Sequence, residues 1–133
     1  MGTEKDDDER SRLTPLQYAV TREAATEPAF SGDHVYNKDD GTYRCVCCDS
    51  VLFNSATKYD SGSGWPSFTA PEGNQAVSTR LDTSHGMRRL EVSCANCSAH
   101  LGHVFDDGPG EDGKRFCINS AALNFDPDTG EQS

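Results

Sequence analysis

Long apolar runs are missing from this 133-residue sequence, and hydrophobic residues make up only 34% of it. No stretch approaches the length needed to cross a bilayer as a helix. A chain this lean builds a modest core and gains from a metal or covalent staple. Positive charge is also scarce: 12 basic residues face 22 acidic ones, for a net charge of -10. Lysine is the rarer base, with Lys5, Lys38, Lys58 and Lys114 alone. That balance repels phosphate backbones and anionic lipid, so neither nucleic acid nor a membrane is an expected partner. The acidity fits either a salt-rich cytoplasm or ordinary solubility. The first residues, Met1-Gly2-Thr3-Glu4-Lys5-Asp6, hold no apolar signal core, which makes the cytoplasm the expected compartment. There is one tryptophan, Trp65, and no repeat of fixed period.

Residues 1–12 are charged and patternless and read as a disordered tail. A single domain is expected over 13–125, followed by a frayed polar tail over 126–133. Thr14, Pro15 and Gln17 form a capping box with proline at the first helical position. Leu16, Val20 and Ala24 give the helix one apolar stripe, and it should end by Pro28. Beyond Tyr43 the texture becomes short alternating stretches broken by Gly, Pro, Asn and Asp. Strands are predicted over 42–46, 51–53, 76–81, 87–93, 114–118 and 121–125. The fold class is therefore mainly β and antiparallel, with a short N-terminal helical arm.

Six cysteines stand out in so small a chain. Cys45 and Cys48 form one C-x-x-C, Cys94 and Cys97 another. Such spacing lets a tight turn aim two thiolates at one tetrahedral ion, so two knuckles predict a closed structural zinc site. The 45 residues between the knuckles must then be a folded insert. Two disulfides or two redox pairs are the alternative. Cys47 sits within the first knuckle, where the regular spacing favours Cys48 as the ligand.

Cys117 has no knuckle partner. On a strand, Arg115, Cys117 and Asn119 share one face and Phe116 and Ile118 the other. A guanidinium beside the thiol would lower its pKa, marking Cys117 as a candidate nucleophile, against the alternative of a small core residue. His100 and His103 would align on a helix but oppose each other on a regular strand, unless Gly102 hosts a bulge. With the metal satisfied by sulfur, they read as proton donors. His34 and His85 read as surface residues. Trp65 follows the Gly-rich Ser61-Gly62-Ser63-Gly64, where it belongs either to the core or to the wall of an apolar pocket.

Taken together, Leu13-Thr14-Pro15-Leu16-Gln17-Tyr18, the two knuckles, residues 61–68, 99–105 and 115–120 resemble the B-type methionine-R-sulfoxide reductases over most of the chain. The resemblance implies two packed antiparallel sheets in a tent-like arrangement, a zinc ion remote from the active site and a monomer. It also implies reduction of the R epimer of methionine sulfoxide, chiefly in oxidised proteins. Cys117 would attack sulfur, His103 assisted by His100 would protonate the departing oxygen, and Trp65 would pack on the substrate methyl. Arg115 and Asn119 would orient the histidines, the thiolate and water. Many members carry a resolving cysteine where this chain has Ser63, and others near Ser31. Both are serine here, which points to direct reduction of the sulfenic acid by an external thiol: thioredoxin, glutaredoxin or a small thiol. Cys47 is the one spare thiol. A zinc-knuckle binding module and a general thiol oxidoreductase are the rival functions.

Overall fold

The computed structural model describes residues 12–73, 75–83, 86, 89–110 and 113–127. Among the described residues a helix, α1 (Pro15–Glu23), precedes nine strands: β1 (Gly41–Cys45), β2 (Val51–Asn54), β3 (Lys58–Tyr59), β4 (Ser67–Phe68), β5 (Val77–Asp82), β6 (Arg89–Cys94), β7 (His100–Phe105), β8 (Arg115–Ile118) and β9 (Leu123–Pro127). They form two antiparallel sheets, ordered β2-β1-β9 and β3-β4-β8-β7-β6-β5. The mainly β architecture expected from the sequence is present. No described helix is long and apolar enough to span a membrane.

The capping box forms as written: Thr14 Oγ1 accepts from the Gln17 amide, and the Gln17 side chain accepts from the Thr14 amide. Ala24 ends the helix in the left-handed region. The buried face is rotated from the expected stripe. Leu16 is 43% exposed, whereas Leu13, Val20 and Thr21 are buried. Thr21 tolerates burial because its hydroxyl donates to the Gln17 carbonyl one turn earlier.

Aromatic rings join the two sheets. Phe53 of the small sheet stacks on Phe68 of the large one at 4.4 Å between centroids. Tyr43 meets Phe68 at 5.2 Å and Phe125 at 4.8 Å. Around them lie fully buried Leu52, Val92, Leu101 and Ile118. The half-buried His34 packs edge-on to Tyr43 at 5.7 Å, so it is not the surface residue expected. His85 lies outside the described residues.

Both C-x-x-C knuckles are hairpin turns, one between β1 and β2, the other between β6 and β7. They repeat one geometry. The amide four residues after the first cysteine returns to that cysteine's carbonyl, Asp49 to Cys45 and Ser98 to Cys94, each at 2.8 Å. Asp49 and Ser98 both take φ 68°. Arg22 donates to the Cys97 carbonyl and Arg12 to those of Val46 and Cys47, so the N-terminal segment clamps both turns. Arg12 is thus engaged with the domain, although residue 12 was assigned to the tail. At the other end β9 continues to Pro127, two residues past the expected boundary, by pairing with Gly41 and Thr42.

Strands β3 and β4 were not expected; each is two residues long. Nor was residues 100–105 assigned to a strand, yet it is the centre of the large sheet. Opposite it, β6 advances from Val92 to Ser93 while β7 steps from Gly102 to His100, leaving Leu101 as the extra residue of a bulge. Gly102 lies so close to β8 that a Cβ would sit 2.0 Å from the Cys117 carbonyl oxygen. Gly102→Ala should therefore push β7 from β8 and lower stability by about 1–3 kcal/mol in chemical denaturation, as overpacked sites do. An unchanged midpoint would contradict this packing.

Candidate active site

Burial alternates along β8 as its sequence suggests: Phe116 and Ile118 face the core, and Arg115 and Cys117 face outward. Cys117 stands opposite Ser67 of β4 and His103 of β7. These strands and the loop before β4 enclose a cavity of about 210 Å³, lined by Cys117, His103, Trp65, Arg115, Ser63, Asn119, Phe105, Thr26, Arg89 and Gly102. Segments far apart in sequence thus converge on one sulfur.

The β7 bulge settles the histidine geometry. It brings the rings of His100 and His103 to 5.7 Å, 72° apart, instead of on opposite faces. Only His103 lines the cavity. Its Nε2 lies 2.9 Å from Asp82 Oδ2. His100 is 5% exposed and sits behind, with Nδ1 3.2 Å from the Val20 carbonyl. That carbonyl can only accept, so Nδ1 carries the proton. Burial holds the pKa of His100 below its usual range, and Glu91 offsets part of that shift.

Asn119 is fixed by backbone groups. Its Nδ2 donates to the Leu101 carbonyl at 2.9 Å, gripping the bulge, and its Oδ1 accepts from the Glu27 amide at 2.9 Å. It therefore touches the histidines through the strand that carries them. Trp65 Nε1 donates to the Glu27 carbonyl at 2.9 Å, turning the indole face into the wall beside Phe105. Arg115 forms a two-pronged pair with Asp107, at 2.8 and 3.2 Å, and lies 4.5 Å over the Phe105 ring.

Cys117 departs from one expectation. Its pKa lies above the ordinary thiol value, not below it. Burial is the main cause; a hydrogen bond from Ser63 and the charge and hydrogen bond of Arg115 pull the other way without overcoming it. The same guanidinium is paired with Asp107.

Two residues of the site escaped the sequence reading. Glu27 is 1% exposed, and its carboxylate accepts from the Ser120 and Ala121 amides, both at 2.9 Å. These amides open the short turn directly after β8. Asp82, the partner of His103, ends the edge strand β5. Nothing local marks either one, because each partner lies more than twenty positions away.

Elsewhere, the sulfurs of Cys45, Cys48, Cys94 and Cys97 all fall within 4.8 Å of one another. The pairs Cys45–Cys97 and Cys48–Cys94 are 3.6 Å apart. Disulfides are about 2.04 Å long, so these are not bonds. Four sulfurs each about 2.3 Å from one tetrahedral ion would be separated by roughly 3.8 Å, and the cluster fits that demand. Cys48 and not Cys47 completes the set. The Cys47 thiol is surrounded by Cys45, Cys97, Thr21 and Arg22, none of which neighbours Cys117.

A family profile described as the SelR domain matches residues 13–127. The chain belongs to the SelR domain family. Among the relatives of this SelR chain is the peptide methionine sulfoxide reductase MsrB of Burkholderia multivorans, 57% identical over 124 residues, 92% of this chain and 87% of that one. The mitochondrial methionine-R-sulfoxide reductase B2 of Homo sapiens is 56% identical, across 89% of this chain and 69% of its own length. The mitochondrial B3 protein of Mus musculus is 57% identical, but this chain spans only 47% of it. The resemblance to B-type reductases read from the motifs is thus borne out. A crystal structure of the Mis18 'Yippee-like' domain aligns with a TM-score of 0.53 at 16% identity, covering 65% of this chain and 95% of that one, a likeness of fold alone.

Burial depresses the pKa of both His34 and His100 below 6.5. The unfolded chain therefore takes up protons first as pH falls, and stability present above pH 6.5 is lost below it. The denaturation midpoint should drop between pH 7.5 and 5.5, and His34→Gln should flatten the drop. An identical slope in that variant would remove His34 from the account.

Proposed function

We propose that this SelR protein reduces the R epimer of methionine sulfoxide, chiefly in oxidised proteins, to methionine. One observation carries the reading: the single cysteine outside the knuckles faces a cavity shared with His103 and an indole face. Relatives named for this activity, at over half identity, support it.

In this reading the sulfoxide's methyl group packs on Trp65 and Phe105, and its oxygen lies toward His103. The Cys117 thiolate attacks sulfur, and His103 delivers the proton that lets oxygen transfer. The balance is thiolate plus sulfoxide plus one proton, giving methionine and a sulfenic acid on Cys117. A thiol then condenses with the sulfenic acid, releasing water, and a second thiol frees Cys117 as the external disulfide leaves. Asp82 accepts from His103 Nε2–H and holds the ring's orientation, as carboxylates do for catalytic imidazoles. Asn119 fixes the bulge that aims the same ring. Arg115 faces the sulfur while Asp107 restrains it.

Zinc is the ion proposed for Cys45, Cys48, Cys94 and Cys97, since four thiolates fill its tetrahedral shell. Its role is structural. A cytoplasmic monomer served by thioredoxin, glutaredoxin or a small thiol completes the proposal.

The deciding assay offers each epimer of a blocked methionine sulfoxide with dithiothreitol. Turnover should be confined to the R epimer and vanish in Cys117→Ser. Asp82→Ala should lower kcat about tenfold or more, within the range of general acid catalysis, while the zinc content stays at one ion per chain. No turnover of either epimer by a folded, zinc-loaded protein would end the proposal and favour a binding module. Cys94→Ser should lose the metal and unfold, read by elemental analysis and circular dichroism.

A further inference from the structure

Three serine hydroxyls form a connected row that ends at the nucleophile. Ser67 is fully buried directly across from Cys117. Its Oγ lies 2.7 Å from that of Ser61, Ser61 Oγ lies 2.9 Å from that of Ser63, and Ser63 Oγ lies 4.0 Å from Cys117 Sγ.

Counting hydrogens limits the direction of these bonds. Ser63 Oγ accepts from the Ser61 hydroxyl and from the Trp65 amide at 3.4 Å. Both its lone pairs are then engaged, so its one hydrogen is shared between the Trp65 carbonyl at 3.5 Å and the Cys117 sulfur at 4.0 Å. Ser61 has one hydrogen, given to Ser63, so its bond to Ser67 needs the Ser67 hydrogen, which the Trp65 carbonyl also attracts at 3.2 Å. A negative sulfur favours the arrangement in which every proton in the row turns from the Trp65 carbonyl toward it. A neutral S–H finds no acceptor there, whereas a thiolate finds a donor, and each hydroxyl polarises the next.

We propose that Ser67, Ser61 and Ser63 act as a hydroxyl relay that stabilises anionic forms of Cys117: the thiolate before oxygen transfer and the sulfenate after it. This rests on the reductase reading for its purpose but not for its geometry. The long last contact leaves room for one oxygen atom between Cys117 Sγ and the Ser63 hydroxyl. Ser63 touches the reacting atoms; Ser61 and Ser67 are positioning residues. The relay favours a sulfenic acid that waits for a thiol from outside the chain.

The informative variant is Ser61→Ala, which does not touch the sulfur. The other charged or titratable groups about Cys117 stay in place: Arg115 on its own strand with Asp107, His103 on β7, Tyr59 on β3, and Glu27. Alkylation of Cys117 by iodoacetamide, mapped by mass spectrometry across pH, reads the thiolate without any turnover. Its rate at pH 7 should fall about three- to tenfold in Ser63→Ala and about two- to threefold in Ser61→Ala, each with the profile displaced to higher pH. A second measurement follows the sulfenic acid. Hydrogen peroxide makes it from the thiolate with release of hydroxide, whether or not the protein accepts a sulfoxide, and dimedone traps it after timed delays. It should decay faster in both variants. If Ser61→Ala matches the parent in alkylation profile and decay, the relay is refuted. Failure of the reductase reading shows separately, as absent sulfoxide turnover with both shifts intact.

Discussion

Four thiolates gathered at one point hold the molecule in its working shape. Cys45 and Cys48 belong to the hairpin of the small sheet, Cys94 and Cys97 to a hairpin of the large one. An ion at their centre would bolt the two sheets together. The second knuckle also sets where β7 begins, and its first and fourth residues are His100 and His103. An ion held there would thus fix the starting point of the strand that carries both histidines. Closed coordination suits that task, because a full shell has no vacancy for chemistry.

From that frame a second buried group, the Glu27 carboxylate, ties the cavity together. Its oxygens cap the turn that follows Cys117, its amide holds Asn119, and its carbonyl holds the Trp65 indole. A carboxylate buried this deeply is sustained by the amides it accepts from. The turn after Cys117, the bulge-gripping amide and the Trp65 wall of the cavity are therefore registered to one residue on the segment leaving α1. A small displacement of that segment would move all three in concert.

Much of this was legible because it is local or periodic. The capping box, the knuckles and the alternation along β8 are short-range rules and appear in the structure as read. A bulge or turn at Gly102 was one open reading of the two histidines, and the structure puts the extra residue next to it, at Leu101. The rest depends on distant partners. The helix stripe rotated because the face of α1 is chosen by what packs on it: Leu13 and Thr21 are buried while Leu16 is exposed. Strands β3 and β4 have two residues each, too few for any period to show. His34 looked polar in its neighbours, but Tyr43 and Phe125 arrive from other strands. Glu27 and Asp82 carry no local signature at all.

The sign of the Cys117 shift shows how the site resolves competing demands. A cavity dry enough to seat a methyl group raises a thiol's pKa, and Arg115 was the obvious countermeasure in the sequence. It is paired with Asp107, so the opposing pull is divided between a restrained cation and directed hydroxyl groups. Burial thus favours the protonated form of this sulfur. A protonated thiol is a poor target for stray peroxide, because the thiolate is the reactive form. The resting state is guarded by the same burial that shapes the pocket. Activation must then come from groups that favour the anion locally, without a bare positive charge that would keep the thiolate exposed to every oxidant. Hydroxyl donors meet that requirement, since they stabilise negative charge where it forms and carry none of their own.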